Sequence, residues 1–407
     1  MKRIAVIGGG ASGLMAACFA AGGGNTVVLF EKQKKIGRKI LVSGNGRCNI
    51  TNSALSAEMY HGKNPEVVNN IFARFGFEDT IAFFRSIGLP LVEEERGRMF
   101  PASLQATAVV RLFEYELKHR GVEVLLHRKI DLIERKGEGF RLVTAGLEEY
   151  FFDSVILSAG SCAYPPAGGS GDGYGLARQM KHSVHEPFPA ILPINIPLKI
   201  LHRLQGVKWD CAIQVLHQDR VVGSSEGELL FTAFGISGPA GLDVSRVIND
   251  LVIRKAVPVV KLDLFPGYTE RELRALLDEL WMDPSKSAGF SLVGILKTPM
   301  PEVLLHIAGI DPGKKSGDLS REERQKLAGI LKSLRLEPGK PRGFNEAVIA
   351  AGGVDIDEID CTTMESRCVS NLFITGELLD IDGNTGGYNL QFAWSTGAIA
   401  GMSQHAI

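Results

Sequence analysis

The first 31 residues constrain the fold more than any other stretch. Ile4-Ala5-Val6-Ile7 is a short apolar run of the kind that forms a fully buried strand. Gly8-Gly9-Gly10-Ala11-Ser12-Gly13 follows at once and fits G-x-G-x-x-G. Residues 14–21 then read as a helix, and Thr26-Val27-Val28-Leu29-Phe30 as a second strand ending on Glu31. That order predicts a dinucleotide-binding βαβ unit. Gly8 makes the tight turn, Gly10 lets backbone approach a diphosphate, and Gly13 lets the helix pack closely on the strand. The amides at the helix start face the phosphates, where the positive end of the helix dipole favours them. Glu31 stands where a carboxylate accepts hydrogen bonds from an adenosine ribose. Its charge repels a 2′-phosphate, which disfavours NADP in this pocket.

Met1-Lys2-Arg3 followed by apolar residues also invites a signal-peptide reading. Four glycines before residue 14 break any apolar leader, and the second strand continues the fold, so that reading is rejected. The formal net charge of −1 makes no overall case for nucleic acid or an anionic membrane as partner. No apolar run approaches the roughly 20 residues that a membrane span needs. None of the six cysteines forms C-x-x-C, so neither a redox pair nor a zinc ribbon is indicated. Scattered thiols and the lack of a leader give the expectation of a cytoplasmic protein. The nine histidines show no metal-binding spacing.

The chain reads as α/β to about residue 190. It contains an amphipathic helix over 108–120, a strand over 122–126, a hairpin from 140–143 and 149–152, and a strand over 154–158 that runs into Ala159-Gly160. From 191 to 344 the character changes. Residues 212–216, 229–232 and 257–262 read as antiparallel strands, with Pro258 suiting a sheet edge. After Pro266-Gly267 the pattern turns helical, over 270–281, 301–307 and 321–334, the last opened by a Ser320-x-x-Glu323 capping box. The stretch 338–343 is a linker. The last sixty or so residues return to α/β: a strand over 371–375 stops at Gly376-Glu377, and Gly386-Gly387 precedes a helix from about Leu390 to Met402. A discontinuous domain follows, formed by 1–190 and 345–407. It is interrupted by an insert that is β-rich over 191–265 and helical over 266–337.

Two glycine-bearing strand-loop-helix units suit FAD better than NAD. The ribityl hydroxyls of FAD need an acceptor beyond the diphosphate, and Glu377 offers one. The flavin N1–C2=O edge gains negative charge on reduction, which amides at a helix N-terminus stabilise. The segment from Gly386 to Leu390 supplies such amides.

At this point the chain resembles the bacterial BaiN-like, or aminoacetone-oxidase-like, flavoproteins. The resemblance rests on residues 7–13, on Gly37-Arg38-Lys39-Ile40-Leu41-Val42-Ser43-Gly44-Asn45-Gly46-Arg47-Cys48-Asn49-Ile50-Thr51-Asn52, on Gly171-Asp172-Gly173-Tyr174, on Phe234-Gly235-Ile236-Ser237-Gly238-Pro239-Ala240, and on Thr363-Met364-Glu365-Ser366-Arg367 continuing through Gly376-Glu377 to Gln391. It implies a glutathione-reductase-type FAD domain interrupted by an insert with a β-barrel-like part and a helical part. It places Ser12, Gly13, Glu31, Lys32, Arg38, Lys39, Gly44 and the main chain of Ile130 on FAD. It sets Glu377, Gly387, Asn389 and Leu390 on the ribityl chain and flavin, and Ala159 and Gly160, in a cofactor-domain turn, are expected to bind the cofactor as well. A cationic Arg38-Lys39 pair also suits a diphosphate in its own right. The chain departs from the usual pattern at Ala233, Ser161 and Ala350.

The activity implied is an FAD-dependent oxidoreductase acting on a small molecule, by reduction of an activated C=C bond or oxidation of a small amine. No second strand-G-x-G-x-x-G-helix unit is present, so NAD(P)H would dock only transiently. The alternative is a module that keeps FAD without turnover, redox-responsive or RNA-associated. No basic stripe with interleaved aromatics favours RNA. Cys48, Arg47 and Tyr388 stand near the expected flavin without an assigned catalytic part.

Overall fold

In the computed structural model, which describes residues 1–405, the first apolar run becomes β1 (Arg3–Ile7), with Ile4, Ala5 and Val6 wholly buried. A strand hidden on both faces needs helices over it, which is the α/β arrangement. α1 (Ala11–Ala20) covers it and leads to β2 (Thr26–Glu31), parallel to β1. The short α2 (Arg38–Val42) follows. α3 (Ala106–His119) buries Val109, Phe113 and Leu117, the face its spacing predicts, and feeds β3 (Glu123–Leu126) beside β2. β4 (Ile130–Lys136), β5 (Gly139–Thr144) and β6 (Glu149–Phe152) form an antiparallel sheet in which the expected hairpin pairs Phe140 with Phe152. β7 (Ser154–Leu157) then returns to the free side of β1, and α4 (Asp172–Gln179) follows. The chain leaves β1 on one side and comes back on the other. That switch opens a crevice at the carboxyl ends of β1 and β7, where α/β proteins hold ligands. All these elements belong to one compact unit, Met1–Phe188 with Val348–Ile407.

The second unit is Pro189–Ala347, with its own apolar core. β8 (Lys208–His217), β9 (Arg220–Thr232), α5 (Gly238–Ile253) and β10 (Val259–Asp263) come first. α6 (Glu270–Leu280), α7 (Met300–Ala308), α8 (Arg321–Lys332) and β11 (Leu334–Leu336) follow. A curled antiparallel sheet runs in the order Ile194–Asn195, Gly235–Ser237, β9, β8, β10, β11, and it is the barrel-like part expected of the insert. The Ser320/Glu323 capping box is formed, with Ser320 N–H donating to Glu323 Oε2 at 2.7 Å. Pro258 does not mark an edge. It immediately precedes β10, which is paired on both sides, by β8 and β11, so its missing N–H interrupts no ladder.

The chain re-enters the first unit through β12 (Ile349–Val354) and β13 (Leu372–Ile374), the latter parallel to β7. With the short antiparallel strands Ile359–Asp360 and Glu365–Ser366, this completes a seven-stranded sheet. The final helix, α9 (Tyr388–Met402), begins before the expected Leu390 because Gly387, at φ +105°, turns the chain left-handed and lets the helix start at once. α9 is buried almost all round and lies against α1. Its glycines permit that contact: a Cβ on Gly397 would lie 2.2 Å from the Ser12 carbonyl oxygen, and one on Gly401 would lie 2.6 Å from that of Ala16. Trp394, wholly buried, stacks on Phe113 with ring centres 5.8 Å apart and donates to the Ile50 carbonyl at 2.9 Å. Among the described residues no helix is long and apolar enough to cross a membrane.

Gly397→Val should therefore cost about 3 kcal/mol or more of stability, because backbone on the neighbouring helix cannot move aside. Gly329→Ala in α8, where an added Cβ meets nothing within 4 Å, should stabilise by about 0.5 kcal/mol. Urea unfolding midpoints of the two variants check both signs.

Candidate functional site

The crevice is built from the glycine loop between β1 and α1. Gly8, at φ +110°, has no room for a side chain, since a Cβ there would sit 2.4 Å from the Ser158 carbonyl oxygen. Gly13 packs so closely that a Cβ would fall 1.9 Å from the Gly8 carbonyl oxygen. Gly10 differs: a Cβ there meets nothing within 4 Å, so this glycine borders open space ahead of α1. Gly160, after β7, borders open space in the same way. Those are the properties a backbone cradle for a diphosphate requires. The first-turn amides of α1 have no intrahelical partner and no side-chain cap from Gly10.

Glu31 is fixed to that loop. Its Oε2 accepts from Gly9 N–H at 2.8 Å and its Oε1 from Gln33 N–H at 2.7 Å. The Arg128 amide donates to the Glu31 carbonyl at 3.0 Å, which brings the start of β4, and with it buried Ile130, to the end of β2. Lys32, Lys39 and Arg38 each have a different partner. Lys32 pairs with Asp172 at 2.7 Å and also contacts Ser170. Lys39 pairs with Glu377 at 2.5 Å. Arg38 instead donates to two neutral groups, the Gln33 side-chain oxygen at 2.5 Å and the Pro166 carbonyl at 2.8 Å. Gly44 turns left-handed at φ +54° against the Asn49 amide.

Glu377 ties three other segments to its own turn. Its Oε1 accepts from Ser161 Oγ at 2.7 Å and from Ala350 N–H at 3.2 Å, and its Oε2 accepts from Lys39 Nζ. Ser12 is buried under the turn before it, where a Cβ on Gly376 would lie 2.5 Å from Ser12 Oγ. Ala159 packs against Gly173 at the start of α4.

The amino end of α9 is joined to a different neighbour, residues 49–52. A Cβ on Gly387 would lie 2.5 Å from the Thr51 carbonyl oxygen, Asn52 donates to the Gly386 carbonyl at 2.9 Å, and Thr51 Oγ1 bonds Gln391 Oε1 at 2.5 Å. Asn389 turns its side chain back onto the preceding loop, accepting from Gly383 N–H at 2.8 Å and donating to the Gly383 carbonyl at 2.7 Å. What Asn389 and half-buried Leu390 offer outward is main chain, whose first-turn amides have no intrahelical partner. The Thr51, Asn52 and Gln391 network was not singled out in the sequence. Its one signal was membership of the two longest blocks that carry the resemblance.

Three residues left without a part have structural settings. Cys48 is wholly buried, and burial pushes its thiol up to about 12, so it packs rather than reacts. The Arg47 guanidinium pairs with Glu94 at 2.8 Å and lies 4.3 Å over the Phe100 ring. Tyr388 meets Tyr60 edge-on, and Tyr60 donates to the Tyr388 carbonyl at 2.9 Å. Outside the crevice, buried His182 sits between Glu358 and Ser366, each 2.8 Å away. Ser366 Oγ already accepts the Cys368 and Val369 amides, so its hydroxyl donates to His182 Nε2, and Nδ1–H donates to Glu358. That is a satisfied structural network.

Residues 2–403 match the family described as HI0933-like protein Rossmann domain. The chain is 35% identical over 406 residues to a 3-dehydro-bile acid delta(4,6)-reductase of Clostridium scindens, covering 99% of each. It is 31% identical to a ribosomal RNA dihydrouridine synthase of Haemophilus influenzae, covering 98% of this chain and 97% of that one. Among solved structures, the 3-ketosteroid delta1-dehydrogenase of Sterolibacterium denitrificans superposes with a TM-score of 0.53 at 12% identity, over 98% of each chain, and shares the fold. The chain belongs to the HI0933-like Rossmann family, the BaiN-like flavoproteins it resembles, and is an oxidoreductase.

Proposed function

We propose that this oxidoreductase holds FAD in the crevice and reduces a C=C bond made electron-poor by a conjugated carbonyl. The observation that carries the reading is the open backbone face at Gly10, flanked by Glu31 on one side and the Glu377 turn on the other. Bound there, FAD supplies N5, the atom that carries hydride. Arg38 takes the diphosphate, because its partners are neutral, while Lys32 pairs with Asp172, which Lys129 also contacts, and Lys39 pairs with Glu377. Glu31, held by two amides, faces the adenosine ribose, and the main chain of Ile130 borders the adenine. Glu377 and the first-turn amides of α9, at Gly387, Asn389 and Leu390, serve the ribityl chain and the pyrimidine edge of the ring.

The names of the two relatives share one chemistry. A delta(4,6)-reductase of a 3-dehydro steroid and a dihydrouridine synthase both saturate a ring C=C conjugated to a carbonyl. Such a reduction delivers hydride to one carbon and a proton to the other. NAD(P)H, docking transiently, is the proposed source of the two electrons. A steroid-like enone is the first substrate class to try. A uridine within RNA is the second, favoured by the near-complete match to the Haemophilus influenzae protein.

Anaerobic stopped-flow mixing tests the reading. NADH or NADPH should bleach the yellow holoprotein, and a 3-oxo-Δ4 steroid or a uridine-containing ribosomal RNA fragment should restore the colour. Bleaching by small amines, with none by either nicotinamide, would replace the reductase by an amine oxidase. Flavin that no donor reduces would leave a binding module without turnover. Arg38→Ala should raise the FAD dissociation constant about 10- to 100-fold and flatten its salt dependence. Lys32→Ala should raise it only about threefold, since that ammonium already has a carboxylate. Fluorescence titration of apoprotein at two ionic strengths measures both.

A further inference from the structure

We propose that Ser161 is a positioning residue for the cofactor, acting through Glu377; this rests on the FAD reading above. Ser161 is 2% exposed and follows β7 at the crevice. Its Oγ accepts from the Ala163 amide at 3.1 Å, so its one hydroxyl proton is free to go to Glu377 Oε1, 2.7 Å away. The Ala350 amide takes the second acceptor direction of the same oxygen. Oε1 is thereby filled by the protein itself, and a ligand hydroxyl finds no lone pair on it. Among the described residues Oε2 carries Lys39 Nζ alone and keeps one direction open.

Ser161 consequently decides which carboxylate oxygen meets the ligand. Without its hydroxyl, Glu377 is held by Lys39 and one amide, and can rotate so that either oxygen turns to the crevice. Glu377 belongs to the ribityl half of the site. The adenosine half is built on Glu31, Gly9 and the Arg128 amide, whose hydrogen bonds among the described residues do not include Ser161. The consequence is selective: losing the hydroxyl weakens the ribityl end of the ligand and leaves the ADP end as it was.

The test is calorimetric titration of apoprotein with FAD and, separately, with ADP, for the native chain, Ser161→Ala, Glu377→Ala and the double variant. Ser161→Ala should weaken FAD about tenfold and leave ADP within twofold. In the Glu377→Ala background the same change should cost nothing further on FAD, the signature of a residue acting through another. Unchanged FAD affinity in Ser161→Ala overturns the proposal. So do equal losses on FAD and ADP, which mean a general loosening of the loop, and so do losses that multiply in the double variant. A native chain that binds ADP but not FAD overturns the FAD reading and this proposal with it. Native FAD binding with an indifferent Ser161 overturns this proposal alone. Urea midpoints of the four apoproteins verify that each is folded during the titration.

Discussion

The close contact of α1 with α9 is the constraint on which the rest of the first unit depends. The two helices are far apart in the chain, and each begins at a loop that lines the crevice. Their separation is set by glycine: Gly397 and Gly401 lie against the Ser12 and Ala16 carbonyls, and Gly376 lies against the Ser12 side chain. Larger residues would push the helices apart. The glycine loop and the Glu377 turn would then separate with them, because Ser12 belongs to one and touches the other. Phe113, stacked on Trp394, and Phe84, edge-on to the same ring, hold α9 as well.

The crevice is charged, yet nearly every charge in it is already answered by the chain. Glu31 holds two amides, Glu377 holds a hydroxyl, an amide and an ammonium, and Lys32 holds a carboxylate. Half-buried polar groups are expensive to leave unpaired, so a site that must keep its shape satisfies most of them internally. What is left over defines what the site can take: the open directions at Gly10 and Gly160, the Arg38 guanidinium, and one lone pair on Glu377.

Legibility followed periodicity. β1, β2, β7 and β13 were readable because strands buried on both faces are continuous apolar runs, and α3 because its apolar residues recur at helical spacing. α5 has no counterpart among the elements expected from the sequence, although Pro239 in its first turn and apolar Ala240, Val244 and Ile248 mark it; Gly235, Gly238 and Gly241 interrupt the helical pattern at its start. β9 runs well ahead of the apolar stretch read as its strand. Its earlier part, Ser224-Ser225-Glu226-Gly227-Glu228, is polar and is strand only because β8 pairs with it residue by residue. Pro258 shows the converse: a strand signal was right, but sheet neighbours set by long-range pairing removed its edge meaning.

By itself the sequence determined the βαβ glycine loop with its terminal acid, the capping box at Ser320, and the second glycine turn ahead of α9. Each depends on residues a few positions apart, where backbone sterics and local hydrogen bonds suffice. Only the tertiary structure decided how the charges are spent. It gave Lys39 and Ser161 to Glu377, gave Lys32 to Asp172, left Arg38 with neutral partners, and turned the Asn389 side chain away onto its own loop. The Lys39, Ser161 and Lys32 pairings join residues 338, 216 and 140 positions apart, and only the packed fold brings them within hydrogen-bonding distance.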